Sequence, residues 1–425
     1  MDGLVYPDRT VHTGLLEYKN VYRPARVISY DKESGELVLH NYMDFDDLKD
    51  YVKISYELTQ DGLVISKGKL PEVSAAPHSE GKINLKINVP ESGKCYLKFI
   101  YHLKKELPLL DEDHILGFDE IEVSQKDAKC QLAEKWVEKT VTDSELQVSE
   151  DDTQIHIKGR EFAYTIDRRT ALFTEMKFAG REYLNHPMEL NIWRAPTDND
   201  MYIKSEWKKA HYDKAYTRAY TTEVVQGKHG VKITSHASVV AETVQKILDV
   251  TITWKIEAAG KIDADIAVTK DDEFPDLPRF GVRMFLDKKL SAARYFGMGP
   301  QESYCDKHQA ASHGLYQANV DDLHEDYIRP QENGSHYDCE YVELNNSRYG
   351  IVVSAENAFS FNASYYTQEE LEEKTHNYEL TESDSVVFCV DYALNGIGSN
   401  SCGPVVLEQY RFDDVLFRFQ FTLIP

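Results

Sequence analysis

The strongest constraint on the fold is the alternation of apolar and polar residues along much of the chain. Apolar side chains occupy every second position in residues 52–58, 95–103, 250–256 and 415–423, with largely polar side chains between them. Successive side chains of a β-strand point to opposite faces of a sheet, so this period indicates half-buried strands. Residues 82–89 alternate in the same way and predict a further strand. The sequence therefore predicts an all-β fold.

The chain has 425 residues, more than most single domains, and we expect two domains. Strand-like runs separated by turn signals fill residues 21–124 and predict an immunoglobulin-like or fibronectin-like β-sandwich. A polar, charged stretch begins near residue 125, and short strands continue to the end, which predicts a large sandwich of two big sheets over residues 125–425. Residues 1–20 lack a convincing period. They are interpreted as a connector arriving from another element, or as a terminus docked on its own domain.

The net charge of −24 argues against nucleic acid or an anionic membrane as a partner, because both attract basic patches. No apolar run is long enough to span a bilayer, and the first residues lack the features of a signal peptide. We therefore expect a soluble, cytoplasmic protein. Its six cysteines are scattered without regular spacing, which favours buried thiols over disulfides or a metal cluster.

The stretch Asn191–Asp200 reads Asn-Ile-Trp-Arg-Ala-Pro-Thr-Asp-Asn-Asp. An apolar strand should end here, because proline cannot donate to the ladder and the following Asp198, Asn199 and Asp200 are turn formers. Arg194 could clamp a polar ligand, or it could tie down the loop through those carboxylates. The second interpretation makes Arg194 and the three turn formers supports for the loop.

A search for catalytic groups finds only weak candidates. The chain has 72 acidic residues, so spacing alone does not single out a catalytic pair, and Glu302, Asp306 and Glu332 are candidates only because they lie near motifs. No metal-binding motif accompanies His308 and His313, which are interpreted as surface histidines. No nucleophile elbow or phosphate-binding glycine loop occurs either. The residues alone predict a β protein without a visible active site.

Several motifs nevertheless occur in a specific order. Together they resemble the C-terminal region of the long β-galactosidases of glycoside hydrolase family 2, and the resemblance covers nearly the whole chain. The motifs are Pro7-Asp8-Arg9-Thr10, Asn191–Asp200, Gly297–Tyr304, Pro330–Gly334 and Gly396-Ile397-Gly398.

In that family the catalytic glutamates, with bound magnesium and possibly sodium, lie in a (β/α)₈ barrel that precedes the matched region. This sequence shows no alternation of strands and helices, so the resemblance implies that the barrel is missing here. Residues 1–20 would be the connector from that barrel. The rest would be a linking sandwich and a supersandwich resembling that of sugar mutarotases, with no catalytic residue, cofactor or metal of its own. The implied partners are a barrel chain, a β-galactoside such as lactose, and further subunits of an oligomer.

The resemblance also implies two segments at the rim of the active site. The first is the loop of Tyr202, Lys204 and Ser205, where the pair Met201-Tyr202 replaces a glycine-containing pair and disfavours a glycine-hinged motion. The second is a turn that contains Asn400 and Cys402. Cys402 falls at or beside the place of a sugar-stacking tryptophan, and a thiol offers no aromatic platform. We therefore expect weaker or different acceptor binding there.

Two other functions stay open at this point. One is a stand-alone, mutarotase-like epimerase that uses a histidine and a carboxylate of the large sandwich, with fold analogy as its only support. The other is a non-catalytic carbohydrate-binding or scaffold module. The first interpretation, a β-galactosidase part, further predicts exposed apolar surface at the connector and at the rim loops.

Overall fold

A computed structural model of the chain describes residues 3–137 and 146–425. It divides into two compact units. The small unit contains the residues up to Gln131 together with His308–Tyr316, and the large unit contains Leu132–Lys307 and Gln317–Pro425. Strands dominate both units, so the predicted all-β fold class is confirmed. None of the helices in the described ranges is both long and apolar enough to cross a membrane.

Helices are short in the described part of the chain: α1 (Thr13–Val21), α2 (Leu48–Tyr51), α3 (Glu134–Val137), α4 (Ile203–Lys209) and α5 (Gln368–Glu373). The first seven strands are β1 (Ala25–Tyr30), β2 (Glu36–Asn41), β3 (Val52–Gln60), β4 (Leu63–Lys69), β5 (Glu80–Asn84), β6 (Cys95–Leu103) and β7 (Ile115–Glu122). The next nine are β8 (Gln147–Glu150), β9 (Gln154–Lys158), β10 (Phe162–Asp167), β11 (Leu172–Phe178), β12 (Arg181–Glu182), β13 (Leu184–Asn191), β14 (Tyr216–Gln226), β15 (Gly230–Ala241) and β16 (Val244–Glu257). The last eight are β17 (Ile262–Lys270), β18 (Arg279–Asp287), β19 (Ala292–Gly299), β20 (Ser312–Asn319), β21 (His336–Asn345), β22 (Gly350–Ser364), β23 (Ser385–Leu394) and β24 (Leu416–Ile424).

The small unit contains two antiparallel sheets around an apolar core. One sheet has the order β1-β2-β5 and the other β4-β3-β6-β7. The alternation that predicted β3 and β6 is confirmed, because Leu58 pairs with Leu97 and both are buried on the inner face. Leu97, Phe99 and Tyr101 are each fully buried in this core. The period-two pattern thus places one face of each central strand in the interior.

One expectation for this unit is wrong. The predicted strand over residues 82–89 ends at Asn84, because its partner β2 begins at Glu36, directly opposite Asn84, and offers no ladder beyond it. Residues before 21 include helix α1, although they show no apolar period. Asn20 explains this helix, because its side chain accepts a hydrogen bond from the backbone N–H of Phe118 at 2.7 Å. Tertiary contacts therefore fix α1 where its own sequence gives no signal.

The segment His308–Tyr316 packs within the small unit. Glu17 of α1 accepts hydrogen bonds from the backbone N–H groups of Gln309 and Ala310, both at 2.8 Å. His313 is buried, stacks on Tyr96 with ring centroids 4.0 Å apart, and contacts Glu120 through Nδ1 at 2.7 Å. The interpretation of His313 as a surface histidine is therefore wrong, because its carboxylate partner lies 193 residues away in the sequence.

The large unit is built from a five-stranded sheet and a twelve-stranded sheet. The smaller sheet has the order β12-β11-β10-β9-β8, and the main path of the larger one is β13-β18-β23-β22-β24-β17-β16-β15-β14. Trp254 of β16 joins the two sheets: its ring lies edge-on to Phe173, and its Nε1 donates to the carbonyl of Ala171 at 2.8 Å. The strands predicted over 250–256 and 415–423 are confirmed as parts of β16 and β24.

The cysteines differ in exposure. Cys95, Cys339 and Cys389 are buried, as predicted, whereas Cys130 and Cys305 are half-buried and Cys402 is exposed. The interpretation of Cys402 as a buried thiol is therefore wrong. It lies in a turn without regular structure, where no strand places its side chain in a core.

Candidate functional site

Four of the motifs are linked by hydrogen bonds within the large unit, and a buried arginine lies among them. The four are Asn191–Asp200, Gly297–Tyr304, Pro330–Gly334 and Gly396–Gly398. Arg194 is 0% exposed. Its Nε and Nη2 donate to the two carboxylate oxygens of Asp200 at 3.2 and 2.7 Å, and Nη1 and Nη2 donate to the carbonyls of Asn395 and Gly396. One guanidinium thus fixes two separate turns.

The local sequence explains why Asp200 faces Arg194. Residues Asp198–Asp200 form a 3₁₀ turn capped by Thr197. Asp200 accepts from the backbone N–H and the hydroxyl of Thr197 at 2.9 and 3.1 Å, so its carboxylate is held inside the turn. Burial opposes the charge of Arg194, but Asp200 outweighs it and keeps the pKa of Arg194 above its usual value. This is the geometry of a loop support.

A second buried arginine connects β18, β23 and the Pro330–Gly334 motif. Arg279 binds Asp391 through two hydrogen bonds of 3.1 and 2.5 Å and contacts Glu332 at 3.3 Å. The other oxygen of Glu332 has no hydrogen-bond partner among the described residues. Burial raises the pKa of Glu332 even though Arg279 and Arg194 lower it. The backbone N–H of Glu332 donates to the carbonyl of Ala195 at 3.0 Å, which ties this motif to the Arg194 turn.

Glu302 fixes the Gly297–Tyr304 motif. Its carboxylate accepts from Lys307 Nζ at 2.5 Å, from the hydroxyl of Tyr327 at 2.5 Å and from the backbone N–H of Gly334 at 2.8 Å. Burial would raise the pKa of Glu302, but these donors hold the pKa below its usual value. Gly334 has a φ of 70°, a conformation that favours glycine, and a Cβ there would lie 2.4 Å from the carbonyl oxygen of Leu323.

Asp306 fixes the Gly396–Gly398 motif. Its two carboxylate oxygens accept from the backbone N–H groups of Ile397 and Gly398 at 2.9 and 2.7 Å. A carboxylate that accepts two adjacent amide protons anchors a turn. The three weak catalytic candidates, Glu302, Asp306 and Glu332, therefore all make contacts that hold backbone segments or arginines in place.

Asn199 joins the two predicted rim segments. Its Nδ2 donates to the carbonyl of Gly398 at 2.7 Å, and its Oδ1 accepts from the hydroxyl and the backbone N–H of Ser401 at 2.8 and 3.3 Å. Asp198 adds a further connection, because its backbone N–H donates to the side chain of Gln331 at 2.9 Å. One amide side chain thus bridges the turn after Arg194 and the turn that contains Cys402.

The rim side chains themselves lie at or near the surface. Tyr202 is 61% exposed and Ser205 is exposed, whereas Lys204 and Asn400 are half-buried. The segment predicted as a loop is the start of helix α4, which begins at Ile203, and Ser205 Oγ donates to the carbonyl of Tyr202 at 2.9 Å. Lys208 and Lys209 lie in the last turn of this helix, where their charges suit the helix dipole.

No group of three or more histidine, cysteine, aspartate or glutamate side chains in residues 3–137 and 146–425 is arranged to hold a metal ion. The carboxylate oxygens of the aspartates and glutamates named above contact arginine, lysine, hydroxyl or backbone N–H groups wherever the structure gives them a partner.

Sequence reasoning missed several members of the network, among them Arg279, Asp391, Lys307 and Tyr327. One signal was available: Asp391 directly follows the apolar run Val386–Val390, where an unpaired charge would be costly. No comparable signal marks the other three.

Comparison with known proteins agrees with this arrangement. The sequence matches the family described as "Beta galactosidase small chain" over residues 158–423, which contain all four linked motifs. The chain belongs to the β-galactosidase small-chain family. Residues 37–124 match a second family, described as "Beta-galactosidase, domain 4". The chain is therefore a C-terminal β-galactosidase region.

Two curated relatives match the chain over its whole length. The β-galactosidase of Actinobacillus pleuropneumoniae is 44% identical and that of Staphylococcus xylosus is 32% identical, and the chain spans 41% and 42% of their lengths. A solved structure of a GalM/aldose epimerase homologue from C. elegans covers 66% of the chain at 9% identity, with a TM-score of 0.32. That score is too low to carry an argument about function.

Proposed function

We propose that this chain is the non-catalytic part of a family 2 β-galactosidase that hydrolyses terminal β-galactosides such as lactose. A (β/α)₈ barrel on another chain or domain supplies the catalytic glutamates, while this chain completes the rim of the active site. The observation that carries the proposal is the Arg194 network, which fixes two neighbouring surface segments. Residues 1–20 serve as the connector to the barrel. Residues 21–124 form the first domain, into which the segment His308–Tyr316 packs, and the rest of residues 125–425 form the second.

The candidate carboxylates support a structural role rather than a catalytic one. Retaining and inverting glycosidases need two carboxyl groups facing the scissile bond, one of which donates a proton. Glu302 is buried and accepts three hydrogen bonds, and Asp306 accepts two backbone amide protons. Groups held in this way are not available to a substrate. Hydrolysis by this chain alone is therefore not expected.

The exposed rim fits contact with sugar or with a barrel partner. Tyr202 offers an aromatic ring, and Lys204, Ser205 and Asn400 offer groups that form hydrogen bonds with hydroxyls. Cys402 is exposed in the second rim segment but carries no ring. We propose that the outer sugar binds there with less stacking than on a tryptophan. Magnesium, and possibly sodium, would bind on the barrel.

The proposal also includes a partner chain or domain, an oligomeric enzyme and a cytoplasmic location. The relatives are more than twice as long as this chain, which supports a further chain or domain as partner. Exposed apolar residues in the first 22 positions, such as Val11, Tyr18 and Tyr22, suit such a contact and an oligomeric enzyme. The cysteines, all free in the described ranges, suit the reducing environment of the cytoplasm.

Complementation tests the proposal. Hydrolysis of a chromogenic β-galactoside should appear when the chain is mixed with a barrel-bearing chain from the same source. Asn199→Ala, which frees the second rim segment, should lower kcat/KM of the mixture. Asn319→Ala, which removes an exposed amide contact to Asp322 outside the rim, should leave kcat/KM unchanged. A mixture that neither associates nor gains activity would overturn the proposal.

The alternative of a stand-alone sugar epimerase finds less support. It needs a histidine and a carboxylate in a site that can enclose a sugar. His186 contacts Asp384 at 2.9 Å, but these two side chains are 51% and 66% exposed to solvent. His336 is buried, and its ring nitrogens contact the backbone carbonyls of Gly334 and Pro300 at 3.1 and 3.4 Å. Burial lowers the pKa of His336 to about 4, so the ring is neutral at pH 7. Its geometry suits packing against Tyr295 and Phe361.

A further inference from the structure

The large unit contains a cavity of about 320 Å³ that the rim does not use. Its floor comes from neighbouring strands β22 and β23, including Phe359, Ser360 and Leu394. Its walls carry aromatic and polar side chains, among them Tyr337, Asp338, Tyr392, Tyr410, Arg411 and Asp414. The volume lies at the lower end of the range for small-molecule sites, which begins near roughly 300 Å³.

Irregular backbone surrounds this cavity. The β21–β22 ladder shifts register between Cys339 and Tyr341, and the β18–β23 ladder shifts between Phe280 and Gly281, opposite Ala393 and Asp391. Register shifts of this kind re-aim side chains and are frequent next to binding sites. Asp338 has a φ of 54°, a left-handed conformation that costs energy for a residue other than glycine. The walls are therefore shaped by local departures from regular strand geometry.

The aromatic wall is held in place before any ligand binds. The ring of Tyr392 stacks on Phe417 with centroids 4.8 Å apart, and Phe412 lies 5.9 Å away. The backbone N–H of Tyr337 donates to Ser303 Oγ at 2.9 Å. Burial raises the pKa of Tyr337 to about 12, so its hydroxyl remains a neutral donor and acceptor at pH 7. A rigid aromatic surface lowers the entropy cost of binding.

The charges in the walls select the class of ligand. Asp338 and Asp414 carry two negative charges and Arg411 one positive charge, so the lining is net negative and disfavours phosphates and carboxylates. Carboxylate, guanidinium, amide and phenol groups together can donate to and accept from adjacent hydroxyl groups. An aromatic face beside such groups matches a pyranose ring, which has an apolar C–H face and a hydroxyl edge.

We propose that this cavity binds a neutral sugar of monosaccharide or disaccharide size. The site belongs to this chain and does not depend on the proposed β-galactosidase function. Two hydrogen bonds connect the cavity to the Arg194 network. The carbonyl of Tyr410, a lining residue, accepts from the backbone N–H of Gly396 at 2.8 Å, and the carbonyl of Gly396 accepts from Arg194. Bound sugar should therefore reduce amide exchange in the Gly396–Gly398 turn.

Calorimetric titration of the full-length chain tests the proposal. Galactose, glucose and lactose are the probes, with glycerol as a polyol that lacks a ring face and glucose 6-phosphate as an anion. We expect saturable binding of at least one neutral sugar and at least tenfold weaker binding of glycerol and of the phosphate. Asp414→Asn should weaken sugar binding at least tenfold. Asp413→Asn, which changes an exposed neighbour outside the lining, should not.

Two outcomes would overturn the proposal. One is that none of the three sugars binds the folded wild-type chain. The other is that Asp413→Asn weakens binding as much as Asp414→Asn does. A crystal of the wild-type chain soaked with the sugar that binds most tightly provides a second measurement, which does not depend on the folding of a variant. Electron density for the sugar in the cavity supports the proposal, and density only at other places contradicts it. Failure of complementation with a barrel chain would leave these results unaffected.

Discussion

The interiors of the two units differ in the kind of side chain that they bury. The core of the small unit is a cluster of apolar side chains such as Leu97 and Phe99. The large unit places Arg194, Arg279 and Asp391 in its interior, each 0% exposed. Burying charges costs several kcal/mol per ion unless they are paired and hydrogen-bonded, and apolar replacements are often as stable. The buried charges are thus better explained by their directional hydrogen bonds, which hold specific turns in place, than by a gain in stability.

This comparison can be tested first at Arg279, where the largest effect is expected. Arg279→Met leaves Asp391 and Glu332 buried without their cation and should lower the free energy of unfolding of the large unit by about 3–5 kcal/mol at pH 7. The loss should shrink as the pH falls and the carboxylates protonate. All four tryptophans lie in the large unit, so urea unfolding followed by tryptophan fluorescence reports this unit. Arg418→Met, at an exposed arginine paired with Asp265, is the control and should shift the midpoint little.

A substitution in the apolar core of the small unit should lower its stability by the same amount at every pH. Leu97→Ala removes a fully buried side chain and should lower the free energy of unfolding of this unit by about 2–5 kcal/mol, equally at pH 5 and pH 8. The small unit has no tryptophan, so far-UV circular dichroism is the measurement. A loss that changes with pH as strongly as that of Arg279→Met would remove the contrast between the two cores.

Within the charged interior, Glu302 and Glu332 should respond to pH in opposite directions. Because the pKa of Glu302 is lowered in the folded protein, its ionised form stabilises the fold at pH values above the unfolded-state pKa of about 4.3. This stabilisation is lost as the pH falls through the folded-state pKa. The raised pKa of Glu332 means that stability is lost as the pH rises from the unfolded pKa through the folded one.

Glutamine substitutions measure these two slopes. Relative to wild type, Glu302→Gln should be more destabilising at pH 7 than at pH 3, whereas Glu332→Gln should be less destabilising at pH 7 than at pH 4. Each difference approaches about 1.4 kcal/mol per unit of pKa shift when the two pH values span the interval between the unfolded and the folded pKa. Urea unfolding at the paired pH values gives both numbers, and slopes of the same sign would contradict the assignment of the two environments.

A smaller effect is expected where the interior reaches the surface. Asn199→Ala removes the amide that joins the two rim segments and should lower the free energy of unfolding by about 1 kcal/mol. Amide exchange of Ser401 should speed up, because its N–H donates to Asn199. Hydrogen-exchange mass spectrometry measures this change, with Asn319→Ala as a control at an exposed amide outside the rim. Unchanged exchange at residues 398–402 would show that Asn199 does not hold the turn.

The smallest structural effect should come from Cys402. Its thiol is exposed, whereas burial raises the pKa of Cys95 and of Cys389 to about 11. A thiol-reactive dye should therefore label Cys402 fastest in the native protein, and Cys402→Ser should remove the fastest phase without shifting the unfolding midpoint. A fast phase that persists in Cys402→Ser would place the reactive thiol elsewhere.

The same comparison explains what the sequence could predict. Alternation predicted β3, β6, β16 and β24, because one face of each strand is buried and the period of side chains is two. It did not predict α1, whose contacts are tertiary. The ion pair of Arg194 with Asp200 was one of two alternatives, since the partners are six residues apart. Arg279 and Asp391 are 112 residues apart, and only the order of strands brings them together.

The proposed rim rests on the family resemblance rather than on a periodic sequence pattern. Exposed side chains such as Tyr202 and Cys402 carry no periodic signal, because no neighbouring strand constrains them. The cavity was also not predicted, since its residues come from the pair Tyr304-Cys305, from β21, β22 and β23, and from the segment 409–414. Sites assembled from distant segments are visible only when register shifts and turns are known.

The most direct test of the account is hydrolysis of a chromogenic β-galactoside by the purified chain alone. Because Glu302 and Asp306 hold turns and Glu332 is buried against Arg279, we expect no hydrolysis above the uncatalysed rate at any chain concentration. Hydrolysis that increases in proportion to the chain and disappears in Glu302→Gln or Glu332→Gln would contradict the account, because it would place a catalytic carboxylate among these 425 residues.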